Sequence, residues 1–119
     1  VKSEVRGSHG FNVVCDSSSA TVRECQVVAG KEGGVLCSGG GGGVFSRNSI
    51  SGNRPAGFIV SKGCNPSVFH NSIVRNEPYG IFVLEGGLGH VYANVLEENE
   101  MAPVLLHGTA RSVVADNNI

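Results

Sequence analysis

Three glutamates, Glu97, Glu98 and Glu100, stand together near the end of the chain. Clustered carboxylates hold calcium in some polysaccharide-cleaving enzymes and act as acid and base in others, with an Arg, Lys, His or Tyr near the scissile bond. Four histidines (His9, His70, His90, His107) and four cysteines (Cys15, Cys25, Cys37, Cys64) are further candidates for metal or acid/base chemistry. The cysteines show no metal-type CxxC spacing. The glycine run Gly39 to Gly43 matches a phosphate-cradling loop in composition only, because it lacks the terminal Gly-Lys-Ser/Thr and a following helix. Whether any of these groups act together depends on which of them the fold brings to one place.

Composition narrows that fold. The chain has 119 residues and a formal net charge of −1, which fits one domain and speaks against a basic surface for nucleic acid. Glycine supplies 18 residues, about twice the usual share of roughly 7%. There is no Trp, one Met and 18 valines, an apolar set that favours strands and excludes a helical bundle. No apolar run approaches the roughly 18 to 20 residues needed to span a bilayer, and the opening VKSEVRGSHG lacks the apolar core of a signal peptide, so no membrane association is expected.

Shifting the chain against itself by 23 residues aligns Asn48, Asn71, Asn94 and Asn117, and also Asn53, Asn76 and Asn99. The same shift aligns Val27, Ile50, Ile73, Leu96 and Ile119, then Val22, Phe45, Val68, Val91 and Val114, and Gly34, Gly57 and Gly80. A fixed period of this length marks a stacked architecture. Each repeat reads as a strand, a turn, a second strand ending in N-x-I, and a turn carrying the second Asn. Such a unit is too short for a propeller blade and has no leucine-rich or helical pattern, so it predicts an all-β, parallel β-solenoid. From Phe11 to Ile119 there are about 4.7 repeats, hence about five coils. In the first coil, Gly10 to Val13 aligns best with Gly34 to Cys37 at an offset of 24, which predicts one extra residue before Val22. Residues 1–9 fit no coil and read as an irregular lead or cap, with 10–119 as the solenoid. The chain ends just after N-x-I with a coil unfinished, which reads as part of a longer solenoid whose exposed ends allow self-association.

Alternation along each strand assigns the faces. Val35/Phe58/Ile81/Val104 and Cys37/Val60/Val83/Leu106 are expected inside, and Leu36/Ile59/Phe82/Leu105, with Asn12 as first-coil member, outside. In the second strand Phe45/Val68/Val91/Val114 point in, while Phe69 and Tyr92 point out. The asparagine columns are expected to occupy corners in left-handed conformation and to pass amide hydrogen bonds from coil to coil. Cys25 and Gly30 take the first-coil places in those columns, so the ladder is expected to start in the second coil. Cys25 and Cys37 fall in or beside the core and Cys64 in a turn, an arrangement of reduced thiols that places the chain in the cytoplasm.

The columns also disperse the reactive groups. Glu98 stacks beside Arg75, and Glu100 beside Glu77, which follows Arg54 and Lys31; Glu85 lies over Lys62. This is a surface ion-pair ladder rather than a catalytic cluster. His70, His90 and His107 occupy different columns, so no set of metal ligands converges and no cofactor is expected. The outward apolar column Leu36, Ile59, Phe82, Leu105 remains. It reads as a strand-forming surface, as a face covered by the rest of a longer protein, or as a partner surface. Outward His90 near Tyr92 could still touch a sugar.

The two turn types carry a resemblance. Gly57 to Asn76 (GFIVSKGCNPSVFHNSIVRN) and Gly80 to Asn99 (GIFVLEGGLGHVYANVLEEN) resemble the right-handed parallel β-helix repeats of the NosD and carbohydrate-binding/sugar-hydrolase (CASH) type, and most nearly the β-helix region of F-box-only ubiquitin-ligase substrate receptors. The fifth coil departs from the pattern, with Thr109 to Ser112 in place of the Asn-Pro turn and Pro103 in place of glycine. The resemblance implies a right-handed helix and recognition of a substrate protein. The expectation is therefore a non-catalytic protein-interaction scaffold using Leu36, Ile59, Phe82, Leu105, Phe69 and Tyr92, with a carbohydrate-binding or carbohydrate-processing module as the alternative.

Overall fold

The computed structural model describes residues 4–6, 11–16, 19–28, 30–31, 33–107, 113–115 and 117. In chain order the strands are β1 (Glu4–Arg6), β2 (Phe11–Asp16), β3 (Ser19–Arg23), β4 (Gln26–Val28), β5 (Gly33–Ser38), β6 (Gly42–Ser46) and β7 (Ser49–Ser51). They continue as β8 (Ala56–Val60), β9 (Ser67–Phe69), β10 (Ser72–Val74), β11 (Tyr79–Val83), β12 (His90–Tyr92), β13 (Ala102–Leu106) and β14 (Val113–Ala115). Three parallel sheets result, ordered β1-β4-β7-β10, β2-β5-β8-β11-β13 and β3-β6-β9-β12-β14. The chain visits each sheet once per coil, so it is a three-sided β-solenoid. Two strands per repeat were expected. The N-x-I segment is instead a third strand of only three residues, too short to show alternation in the sequence.

Register follows the 23-residue period: Leu36 pairs Ile59, Ile59 pairs Phe82 and Phe82 pairs Leu105. The solenoid makes about four turns, not five, because five stacked strands enclose four intervals. The first coil also corrects the sequence reading. Val13 pairs Val35 and Cys15 pairs Cys37, an offset of 22, while Val22 pairs Phe45 at 23. The coil is one residue shorter, and the shortfall falls between Asp16 and Ser19. At this register Val13, not Phe11, stands beside Val35. Val14 rather than Asn12 heads the outer column. Within the expected irregular lead, Glu4–Arg6 continues the first sheet, with Val5 paired to Val27. Residues 1–3 and 7–10 lie outside the described residues, as do Thr109 to Ser112 and Ile119.

Buried side chains line the interior in columns. Val27/Ile50/Ile73/Leu96 come from the N-x-I side, Val35/Phe58/Ile81 and Cys37/Val60/Val83 from the second sheet, and Phe45/Val68/Val91 from the third, each at most 2% exposed. Phe45 meets Phe58 edge-on at 4.8 Å between ring centres, a geometry worth about 0.5–1.5 kcal/mol beyond the area it buries. Val104 is only partly buried, and Leu106, expected inside, is 45% exposed. Their strand β13 lies at the edge of its sheet and is covered on one side only.

Both corners flanking the short strands carry an asparagine ladder. In the first column Asn48, Asn71 and Asn94 each donate from the backbone N–H and from Nδ2 to Oδ1 of the asparagine one coil on, at 2.9–3.0 Å. Nδ2 of Asn48, Asn71, Asn94 and Asn117 also reaches back to the carbonyls of Val22, Phe45, Val68 and Val91. Asn53, Asn76 and Asn99 repeat the pattern against Val27, Ile50 and Ile73. As expected, the ladders start in the second coil, where the backbone N–H groups of Cys25 and Gly30 cap them by donating to Asn48 and Asn53.

The left-handed residue is not the asparagine but its predecessor. Glu24, Arg47, His70 and Ala93 precede the first column with φ of 55–56°, and Gly52, Arg75 and Glu98 precede the second with φ of 53–68°. The asparagine is then left to aim its amide along the stack. A Cβ in this conformation costs about 1–2 kcal/mol, and alanine has no polar side chain to offset it. Ala93→Gly is therefore expected to stabilise the fold by up to about 1 kcal/mol after the added entropy of the unfolded chain, read as a higher urea midpoint at unchanged slope. A lower midpoint would show that the Ala93 methyl group packs usefully.

Candidate functional site

The outer face of the second sheet presents one apolar side chain per coil. Val14 is 54% exposed, Leu36, Phe82 and Leu105 are half-buried, and Ile59 is only 6% exposed. Ile59 was expected to be an exposed member of this ridge. It does lie outside the core cluster, but it sits on the central strand between Leu36 and Phe82, which cover it from both sides. Phe82 anchors the ridge: its ring lies 5.3 Å from Tyr79 and 6.3 Å from His107. The accessible ridge is thus Val14, Leu36, Phe82 and Leu105.

On the third sheet Phe69 and Tyr92 point out as expected. Their rings stack at 5.1 Å with planes 9° apart, and His70 meets Phe69 edge-on at 5.5 Å. His90 and Tyr92 are both exposed on β12, on either side of buried Val91. Val44, exposed at the near end of this face, had not been marked in the sequence. The side chain of Val114 lies outside the described residues.

At the corner between the first and second sheets, a groove of about 350 Å³ is lined by Arg54, Pro55, Glu77, Pro78, Glu100 and Met101. Two columns form it, one of charged residues and one of Pro55, Pro78 and Met101, the last 69% exposed. The charged column is legible in the sequence as a ladder; the prolines recurring at 23 residues put an apolar floor beside it. Arg54 bonds Glu77 through both Nε and Nη2, and Arg75 approaches Glu98 at 3.9 Å. The hydrogen bond and charge of Glu77 raise the Arg54 pKa still further above neutrality. Exposed pairs of this kind contribute little to stability.

Among the described residues no three His, Cys, Asp or Glu side chains are grouped to hold a metal. His70, His90 and His107 stay apart, and His9 lies outside the described residues. Cys25, Cys37 and Cys64 are thiols, Cys25 half-buried and Cys37 in the core as anticipated. Cys64 is in its turn yet completely buried, with its sulfur 3.5 Å from the Ser61 hydroxyl. The Cys15 side chain lies outside the described residues.

No curated protein and no solved structure matches this chain. The model of the right-handed β-helix region matches residues 2–119, in agreement with three parallel sheets at a 23-residue period, and the chain belongs to that family.

Proposed function

We propose that this chain is a non-catalytic protein-interaction module, a rigid scaffold segment of a larger intracellular protein. The observation that carries the reading is the ridge of Val14, Leu36, Phe82 and Leu105, an apolar line held in register on a parallel sheet. Contiguous apolar surface of this kind marks interaction sites, and a central aromatic such as Phe82 is the residue type on which binding energy concentrates. The resemblance of the repeats to F-box substrate receptors supports the same role. Peptides selected by phage display against the folded chain are expected to lose binding to a Leu36→Ser/Phe82→Ser variant that melts near the parent. Undiminished binding to that variant would overturn the ridge as the partner surface.

The stacked Phe69 and Tyr92 beside exposed His90 favour a second reading, a carbohydrate-binding module. Selective retention on a glycan array, lost on Tyr92→Ala, would establish it over the first. The intracellular placement has its own test. Mass spectrometry without reductant is expected to find all four cysteines reduced, and fully buried Cys64 should resist alkylation until the fold opens. Stoichiometric disulfides would refute that placement.

A further inference from the structure

We propose that the corner groove over Pro55, Pro78 and Met101 receives a lysine or arginine side chain from the same protein segment whose apolar residues cover Phe82 and Leu105. This inference rests on the protein-interaction reading and names the chemistry of the partner.

The charges select a cation. Lys31, Arg54, Glu77 and Glu100 follow one another up the corner, each of the last three donating its backbone N–H to a carbonyl of the coil before. Arg54 and Glu77 bond to each other, while Glu100 has no ion-pair partner among the described residues. Glu100 also feels the Arg54 charge, but with one guanidinium against two carboxylates the groove lining keeps one net negative charge beside an apolar floor. That combination fits a long basic side chain, whose methylene stem lies on apolar surface while its charged head stays in water. It does not fit a bare metal ion, because only Glu77 and Glu100 line the groove as carboxylates and Arg54 already occupies the first.

Continuity with the ridge ties the two sites to one partner. Tyr79 follows Pro78 directly, and its ring packs against Phe82, so groove floor and ridge form a single apolar surface turning the corner. Met101 precedes Leu105 by four residues, about 13 Å of extended chain. A partner segment running along β13 would thus carry its basic residue about four positions from its apolar anchor. An exposed carboxylate adds only a few tenths to about 1 kcal/mol, so the groove chooses among sequences while the ridge supplies affinity.

The test uses fluorescein-labelled octapeptides that share two leucines and carry Lys, Arg, Ala or Glu four positions before them, measured by fluorescence anisotropy. The Lys and Arg peptides are expected to bind up to about fivefold more tightly than the Ala peptide, with the gap closing near about 0.5 M salt. Glu100→Lys should reverse the order, making the Glu peptide the tightest, whereas Glu98→Lys at the neighbouring corner position should leave it unchanged. Equal binding of all four, or a basic preference that survives Glu100→Lys, would overturn the groove while leaving the ridge in place if Phe82→Ser still abolishes binding. If none of the peptides binds, both the groove and the interaction reading fall.

Discussion

Asn71→Leu is expected to lower the melting temperature by roughly 10–25 °C, the first of the two largest effects anticipated for single substitutions in this chain. The Asn71 amide is 2% exposed and uses its full capacity. Oδ1 accepts from the Asn48 backbone N–H and from Asn48 Nδ2, both at 3.0 Å, while Nδ2 donates to the Phe45 carbonyl at 2.9 Å and to Asn94 Oδ1 at 3.0 Å. Leucine matches the volume but removes every one of these bonds. The two Asn48 donors and the Phe45 carbonyl lose this partner inside the fold, at about 1–3 kcal/mol for each buried group left unsatisfied. Because Asn48 Nδ2 keeps its bond to the Val22 carbonyl at 3.0 Å, the sum runs over the Asn48 N–H and the Phe45 carbonyl, about 2–6 kcal/mol. That is a large part of the roughly 5–15 kcal/mol that holds a domain together, and each kcal/mol moves the midpoint by about 2–8 °C. Asn71→Asp separates shape from hydrogen bonding: it keeps both acceptors for Asn48 but sets oxygen against the oxygens of Phe45 and Asn94, so it should also destabilise. A leucine variant melting with the parent, followed by circular dichroism, would show that the ladder does not hold the corner.

The ladder was legible in the sequence because its periodicity is global: a column of asparagines at 23 residues admits few physical explanations. The residue before it was not legible, because Glu24, Arg47, His70 and Ala93 share a backbone conformation and no chemistry. Their common property is to end one strand and turn the chain so that the next residue's amide points along the stack. The first sheet was hidden for a related reason, since its strands Ser49–Ser51 and Ser72–Val74 are too short to reveal which way they face.

Alternation read the sides of the second sheet correctly but overstated exposure. It assigns a side chain to the outer face, yet whether that face is open depends on the bulk of neighbours one coil away. Ile59 lies between Leu36 and Phe82 and is covered, whereas Val14, excluded by a wrong register in the first coil, is open. The groove was missed because its parts belong to two columns that were read separately. Pro55 and Pro78 recur at the same interval as Arg54 and Glu77, and only the corner geometry sets the apolar column beside the charged one.

Gly57→Ala should be nearly as damaging as loss of a ladder asparagine, although it adds one methyl group and Gly57 has no left-handed φ. A Cβ on Gly57 would stand 2.8 Å from Asn76 Nδ2 and 2.9 Å from the Gly80 carbonyl oxygen, with equivalent clashes at Gly34 against Asn53 and at Gly80 against Asn99. The glycine column and the second asparagine column are therefore one device: the start of each coil passes so close to its closing corner that only a hydrogen fits between them. Overpacking of this kind costs about 1–3 kcal/mol. The cost grows if Asn76 is pushed off its bonds to the Ile50 carbonyl and to Asn99 Oδ1, both at 3.1 Å. The coupling is measurable by a double-mutant cycle with Asn76→Ser. If the methyl group acts by displacing the Asn76 amide, the double variant should be more stable than the sum of the two losses implies, by about 0.5–3 kcal/mol, as for residues in direct contact. Strict additivity would place the whole cost at the Gly80 carbonyl, and a Gly57→Ala protein as stable as the parent would mean that the coil closes with more room than its glycine column requires.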